Sequence, residues 1–162
     1  MKVLVCVASK YGATAEIAHA VADVLAERGC EVTVLPPQEV GAVGEFDAVV
    51  LGSAVYMGHW MKPARELAER SAAALGARPV WLFSSGPVGE PPKPADNPVD
   101  VSEILQAAKA RDHRIFTGKL ARKHLSFPDR AMASAVRAAE GDFRNWAEIR
   151  AWAASIADTM LS

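Results

Sequence analysis

Along this chain, short apolar runs alternate with stretches in which apolar residues recur every three or four positions. The runs Lys2 to Ala8, Glu31 to Leu35, Asp47 to Gly52, Pro79 to Ser84 and His113 to Thr117 read as five buried strands. After the first, Ile17, Val21, Val24 and Leu25 fall on one face of a helix, with Glu16, Asp23 and Glu27 away from it and Gly29 as a stop. A second helix is expected from about Met61 to Leu75, ending at Gly76. A third follows Asp100, where Asp100 and Glu103 have capping-box spacing ahead of Ile104, Leu105 and Ala108. The last starts at Asn145, with Glu148 three positions on and Ile149, Trp152, Ile156 and Met160 at helical spacing. Strands alternating with helices predict an α/β sandwich of three layers, a five-stranded parallel sheet with helices on both faces.

Two segments interrupt the alternation. Gly86 to Pro98 holds five of the ten prolines and reads as a loop. Gly118 to Gly141 is inserted between the fifth strand and the final helix, with a short helix expected after Pro128. No internal repeat or linker divides the chain, so residues 1–162 read as a single domain with an inserted segment at about 118–141.

With 162 residues, 51% of them apolar, the chain can bury one sizeable core. A net charge of -1 argues against a general nucleic-acid binder, which needs a basic excess to neutralise phosphates. The even balance hides an asymmetry. Met1 to Gly58 carries three basic and seven acidic residues, a net of -4, whereas Arg111 to Arg137 carries seven basic and two acidic, a net of +5. Cys6 and Cys30 lack neighbours at metal-ligand spacing, so both read as buried thiols in a reducing compartment and no metal site is expected. The first strand begins too early to leave room for a signal peptide, and no apolar run approaches the roughly 20 residues of a membrane span. The expected location is the cytoplasm, with peripheral contact at the inner face of the membrane left open.

In an open parallel sheet, ligands bind beyond the carboxyl ends of the strands, where neighbouring connections diverge. Three unusual connections lie there, and a 2-1-3-4-5 sheet would bring them to one crevice. Ser9-Lys10-Tyr11-Gly12-Ala13-Thr14 offers two hydroxyls, a glycine that admits close backbone approach, and the free amides of a helix start. It lacks the Gly-Lys-Ser/Thr ending of a nucleoside triphosphate loop and the three-glycine spacing of a dinucleotide fingerprint, so a monophosphate suits it better. A plain helix cap by Ser9 or Thr14 is the simpler alternative. After the third strand, Gly52 to Trp60 brings Tyr56, His59 and Trp60 into a short segment that could stack a planar ligand, or else anchor the following helix. After the fourth, Ser84-Ser85-Gly86-Pro87-Val88-Gly89 suits backbone contacts to the edge of a ring system.

These three segments in this order resemble the FMN-binding flavodoxin family over essentially the whole chain. The resemblance implies the 2-1-3-4-5 flavodoxin-like sheet and FMN as the cofactor. It implies that Ser9, Lys10, Tyr11, Gly12, Ala13 and Thr14 wrap the phosphate. Ser53, Ala54, Val55, Tyr56, Met57 and Gly58, with Ser84, Ser85, Gly86, Pro87, Val88 and Gly89, would flank the isoalloxazine ring. Within the family, Tyr56-Met57-Gly58-His59, the insertion from Phe116 to Arg130 and the ending Gly141-Asp142-Phe143-Arg144-Asn145-Trp146 are most similar to the menaquinone-dependent protoporphyrinogen dehydrogenase branch.

Carrier flavodoxins are markedly acidic and often sandwich the flavin between aromatic residues. This chain is nearly neutral and has no aromatic residue in Ser84 to Gly89, which favours an oxidoreductase whose flavin is open to a substrate or redox partner. Lys119, Arg122, Lys123, His124 and Arg130, beside Leu120, Leu125 and Phe127, would suit a porphyrinogen bearing propionates, or anionic lipid where a quinone is held. A solvated basic face is the alternative. His59 and His124 are the candidate proton carriers; no other residue is assigned to catalysis. A flavodoxin electron carrier and an NAD(P)H quinone reductase remain the competing functions. A phosphoacceptor signalling domain would need acidic residues where this chain has Ala8-Ser9 and Gly52-Ser53.

Overall fold

The computed structural model describes residues 1–10, 12–56, 59–86, 101–116, 119–120, 141–142 and 144–161. Its strands are β1 (Lys2–Ala8), β2 (Glu31–Leu35), β3 (Ala48–Tyr56), β4 (His59–Trp60), β5 (Val80–Ser85), β6 (Asp112–Phe116), β7 (Lys119–Leu120) and β8 (Gly141–Asp142). The helices are α1 (Ala13–Glu27), α2 (Lys62–Arg70), α3 (Ala72–Gly76), α4 (Ser102–Ala108) and α5 (Trp146–Leu161). The sheet runs β2-β1-β3-β5-β6, every neighbour parallel, while β4 folds back antiparallel on the end of β3. With the two-residue β4 set aside, this is the 2-1-3-4-5 order.

Alternation along the strands divides the core in two. Val3, Val5 and Val7 of β1 face α1 and α5, where Ile17, Val21, Leu25, Ile149 and Ile156 are buried. Leu4 and Cys6 face the other way, toward Leu67 of α2, Leu75 of α3 and Ala108 of α4. Both faces of β1 are therefore dry, which explains its continuous apolar run. Each such side chain contributes about 1.5–3 kcal/mol by leaving water. Phe83, Phe116 and Trp152 form an aromatic trio on the α1 and α5 side, with ring centroids 5.5 to 6.3 Å apart.

Arg28, Gly29 and Cys30 close α1: the Gly29 amide donates to the Ala26 carbonyl and the Cys30 amide to that of Leu25, a Schellman arrangement. At α5, the Glu148 amide donates to Asn145 Oδ1 at 3.1 Å, so the asparagine is the N-cap the spacing predicts. Ion pairs join the two helices in matching order, Glu16 with Arg144, Glu27 with Arg150 and Arg28 with Asp158. The helices thus run parallel, and both begin at the carboxyl edge of the sheet.

Three elements depart from the expected boundaries. β3 continues past Gly52 to Tyr56 because it pairs with β4 and, through Ser53 and Ala54, with β5, so the segment expected as an open loop is largely a hairpin. The expected second helix is interrupted at Ser71 (φ -110°, ψ 15°), yet its hydrogen bonds from the Ser71 amide to Leu67 and from the Leu75 amide to Ser71 keep the apolar period. α4 starts at Ser102 with Val101 at the cap and no side-chain bond there, one residue later than a capping box at Asp100 would require. In the insertion, β7 and β8 pair antiparallel; the short helix expected after Pro128 and the proline-rich loop after Gly86 lie outside the described residues. Cys6 and Cys30 are free and buried. Among the described residues no helix is long and apolar enough to cross a membrane.

Candidate functional site

The connection from β1 to α1 has the geometry of an anion cradle. Gly12, at φ 89° and ψ -18°, occupies the left-handed region as N-cap of α1. A β-carbon there would be strained by that φ, although it would meet no described atom within 4 Å. Gly12 brings no side chain to cap the helix, and the amides of Ala13, Thr14 and Ala15 precede the first internal donor, the Glu16 amide, which bonds the Gly12 carbonyl at 3.0 Å. Ser9 is turned to the loop itself, its Oγ accepting the Gly12 amide at 3.1 Å. Thr14 is 4% exposed, and its hydroxyl has no hydrogen-bond partner among the described residues. A buried hydroxyl left so costs about 1–3 kcal/mol, which a ligand acceptor would offset.

The carboxyl ends of β3 and β5 form the neighbouring part of the edge. Ser53 is buried; its hydroxyl donates to the Ala54 carbonyl at 2.7 Å and accepts the Met61 amide at 3.0 Å. It therefore fixes the entry to α2. Ala54 is buried and Val55 half-buried. Gly86 follows β5 at close quarters, since a β-carbon on it would lie 2.8 Å from Val55 Cβ. Its amide donates to the Phe116 carbonyl at 3.3 Å. The ends of β3, β5 and β6 are thus bound into one platform. Ser85 is buried and, like Thr14, has no side-chain partner among the described residues.

Beneath that platform lies a polar chain. Trp60 Nε1 donates to Ser84 Oγ at 2.7 Å, and Ser84 Oγ is 2.7 Å from His113 Nε2. Ser84 Oγ accepts from the indole and, according to the imidazole's tautomer, either donates its own proton to Nε2 or accepts a second bond from it. Burial holds His113 below its ordinary value, against the opposing charge of Asp112. Asp112 accepts bonds from Trp152 Nε1, Arg114 Nε and the His113 amide. Burial opposes its ionisation, but those bonds and the Arg114 charge together hold it below the usual carboxylate range.

A half-open cavity of about 260 Å³ adjoins the cradle on the β2 side, lined among others by Ser9, His19, Leu35, Gln38 and Met61. It widens the carboxyl edge beyond Ser9, between β2 and the entry to α2.

The fold brings Ser9, Gly12, Ala13 and Thr14 together in the cradle, with Lys10 exposed beside them, and Ser53 to Val55 and Ser84 to Gly86 on the adjacent platform. Trp60 is buried under that platform, which removes it as a stacking partner and makes it an anchor. His59 is exposed. Tyr11, Met57, Gly58, Pro87, Val88, Gly89 and His124 lie outside the described residues, as does the Tyr56 side chain. From the sequence, His113 carries no functional expectation, and Arg144 appears only within the ending Gly141 to Trp146, with no role; the partners of both are distant in sequence. The donor set suits a flavin phosphate, because it combines a left-handed glycine, a helix start without a side-chain cap and a buried hydroxyl that has no partner among the described residues.

A family model described as the flavodoxin domain matches residues 4–145. Among solved structures, a flavodoxin from the domain Archaea is 16% identical with a TM-score of 0.70, the match covering 100% of both chains. A flavodoxin from Streptococcus pneumonia TIGR4 is 17% identical with a TM-score of 0.65, covering 98% of this chain and 99% of that one. The rubredoxin oxygen:oxidoreductase of Desulfovibrio gigas is 14% identical with a TM-score of 0.65, and there 98% of this chain corresponds to 35% of the longer protein. No curated protein sequence matches significantly. At such identities the structures speak for the fold alone, but the family match spans most of the chain. The strand order, the cradle after β1 and that match lead to one conclusion: this chain belongs to the flavodoxin domain family.

Proposed function

We propose that this protein binds FMN, with the phosphate on Gly12 to Thr14 and the ring against the ends of β3 and β5, and acts as an oxidoreductase. The observation that carries the reading is the start of α1, where a left-handed glycine gives the helix no side-chain cap and Thr14 buries a hydroxyl without a partner among the described residues. FMN, when bound, supplies a ring that takes up and releases electrons singly or in pairs. The chain's own part is to hold the phosphate, to keep the ends of β3 and β5 at fixed spacing through Val55 and Gly86, and to leave the ring accessible.

The substrate reading is a dehydrogenase of the protoporphyrinogen type that passes electrons to a quinone. It is supported by the likeness of Tyr56 to His59 and of the insertion, and by the basic residues Lys119, Arg122, Lys123 and Arg130, which match a propionate-bearing molecule or an anionic lipid surface. Anaerobic mixing with a porphyrinogen and a menaquinone analogue tests it: turnover above the free-flavin rate is expected. An electron-carrier role would be favoured by the absence of turnover, and it has its own support in the full-length likeness to flavodoxins. A nicotinamide-dependent quinone reductase would instead oxidise NAD(P)H in the same assay.

A further inference from the structure

The first turn of α1 contains a carboxylate where an anion is to bind. Glu16 follows Thr14 by two residues, and the chain up to Gly58 carries a net charge of -4. A carboxylate there stabilises the helix start but repels an incoming phosphate. The chain answers with a residue from its far end. Arg144, whose side chain is only 4% exposed, places Nη1 3.5 Å from Glu16 Oε1 and donates to the Ala13 carbonyl at 3.2 Å. Its guanidinium carbon lies 4.6 Å from the centre of the Trp146 ring, at the first residue of α5. A cation this buried is screened little by salt, and the planar group is fixed on three sides, by a carboxylate, a carbonyl and an indole.

We propose that Arg144 is the positioning residue that makes the α1 start selective for a phosphorylated ligand, by neutralising Glu16 and holding the first turn through Ala13. The inference rests on the reading of that turn as the phosphate site. It differs from a purely structural role in one respect: the defect left by losing Arg144 should be repaired by also removing the charge it neutralises.

The experiment titrates FMN and riboflavin fluorescence with full-length flavin-free protein. Wild type should prefer FMN. Arg144→Met should weaken FMN about tenfold, the scale of one charge-assisted contact, while changing riboflavin about twofold or less. Arg144→Met combined with Glu16→Gln should regain most of the FMN affinity, and Arg144→Lys should keep most of it. Glu16→Gln alone, which keeps the side chain's shape at an exposed position and is checked by its thermal unfolding, should raise FMN affinity severalfold without moving riboflavin. If wild type prefers FMN and Glu16→Gln leaves the preference unchanged, or if Arg144→Met lowers both flavins equally without rescue by Glu16→Gln, the selectivity role is overturned while the phosphate site stands. If wild type binds both flavins alike, the phosphate site itself falls and the role of Arg144 falls with it.

Discussion

Ser84 Oγ stands 2.7 Å from His113 Nε2, and this contact joins β5 to β6 under the platform formed by the strand ends. The contact accommodates either neutral tautomer of the imidazole, and the half-buried position of the ring is what disfavours its charged form. In the unfolded chain His113 takes up a proton near its ordinary pKa of about 6.5, whereas burial holds the folded value lower. Between those two values the unfolded state binds more protons, so stability falls as the pH drops below about 6.5. Asp112 acts in the same direction at lower pH. Its folded value lies below 3.8, and its stabilisation is present above that ordinary value and lost as the pH falls through the folded one. Urea unfolding between pH 7.5 and 5 should show the first loss, and His113→Gln should flatten it. Equal slopes in both proteins would remove His113 as the cause.

Thr14→Val keeps the shape of a buried side chain and removes one hydroxyl. If that hydroxyl serves a phosphate, FMN should bind about ten- to a hundredfold more weakly, since hydrogen bonds to charged groups are worth about 1.5–3 kcal/mol. Riboflavin should bind nearly as before, and thermal stability should hold, because the hydroxyl has no partner among the described residues. Equal losses for the two flavins would mean a misshapen loop instead.

The fold was legible because its signals are local. Val3 to Val7 reads as a doubly buried strand, and Ile17, Val21 and Leu25 as a helix face, without knowledge of what they touch. The junction proposed as the cradle was legible as a strand-to-helix turn for the same reason, since Ser9 to Thr14 is contiguous. Long-range polar contacts were not. Arg144 meets Ala13 across 131 positions, and Trp60, Ser84 and His113 are separated by 24 and 29. No sequence period announces such meetings, because register and helix packing create them. The same holds for Trp60, for which the sequence leaves stacking and anchoring both open and the indole's bond to Ser84 inside the core decides for anchoring. The break at Ser71 leaves the apolar spacing intact and so leaves no trace in it.

Phe83 touches both other rings of the aromatic trio and is fully buried. Phe83→Ala should cost about 3–5 kcal/mol in denaturant unfolding, the range for losing a core aromatic. Because the cradle is formed by other strands, protein that remains folded should keep its preference for FMN over riboflavin. A loss of less than about 1 kcal/mol would mean that the trio is not a principal part of the core.

Cys6 is fully buried in β1, and burial pushes its thiol up to about 12 despite the opposing charge of Arg70. Only the thiolate attacks a disulfide reagent, so native protein at pH 8 should leave Cys6 unlabelled and unfolded protein should label it at once. Peptide mapping distinguishes it from Cys30. Rapid native labelling of Cys6 would show that β1 opens far more readily than a central strand should.

Cofactor uptake bears most directly on the function. Purified full-length protein should be yellow, or should take up added FMN with micromolar or better affinity and bind riboflavin more weakly, as visible absorption and fluorescence titration report. A colourless protein that leaves FMN free at those concentrations would contradict the assignment of α1's N-terminal cradle as an FMN phosphate site.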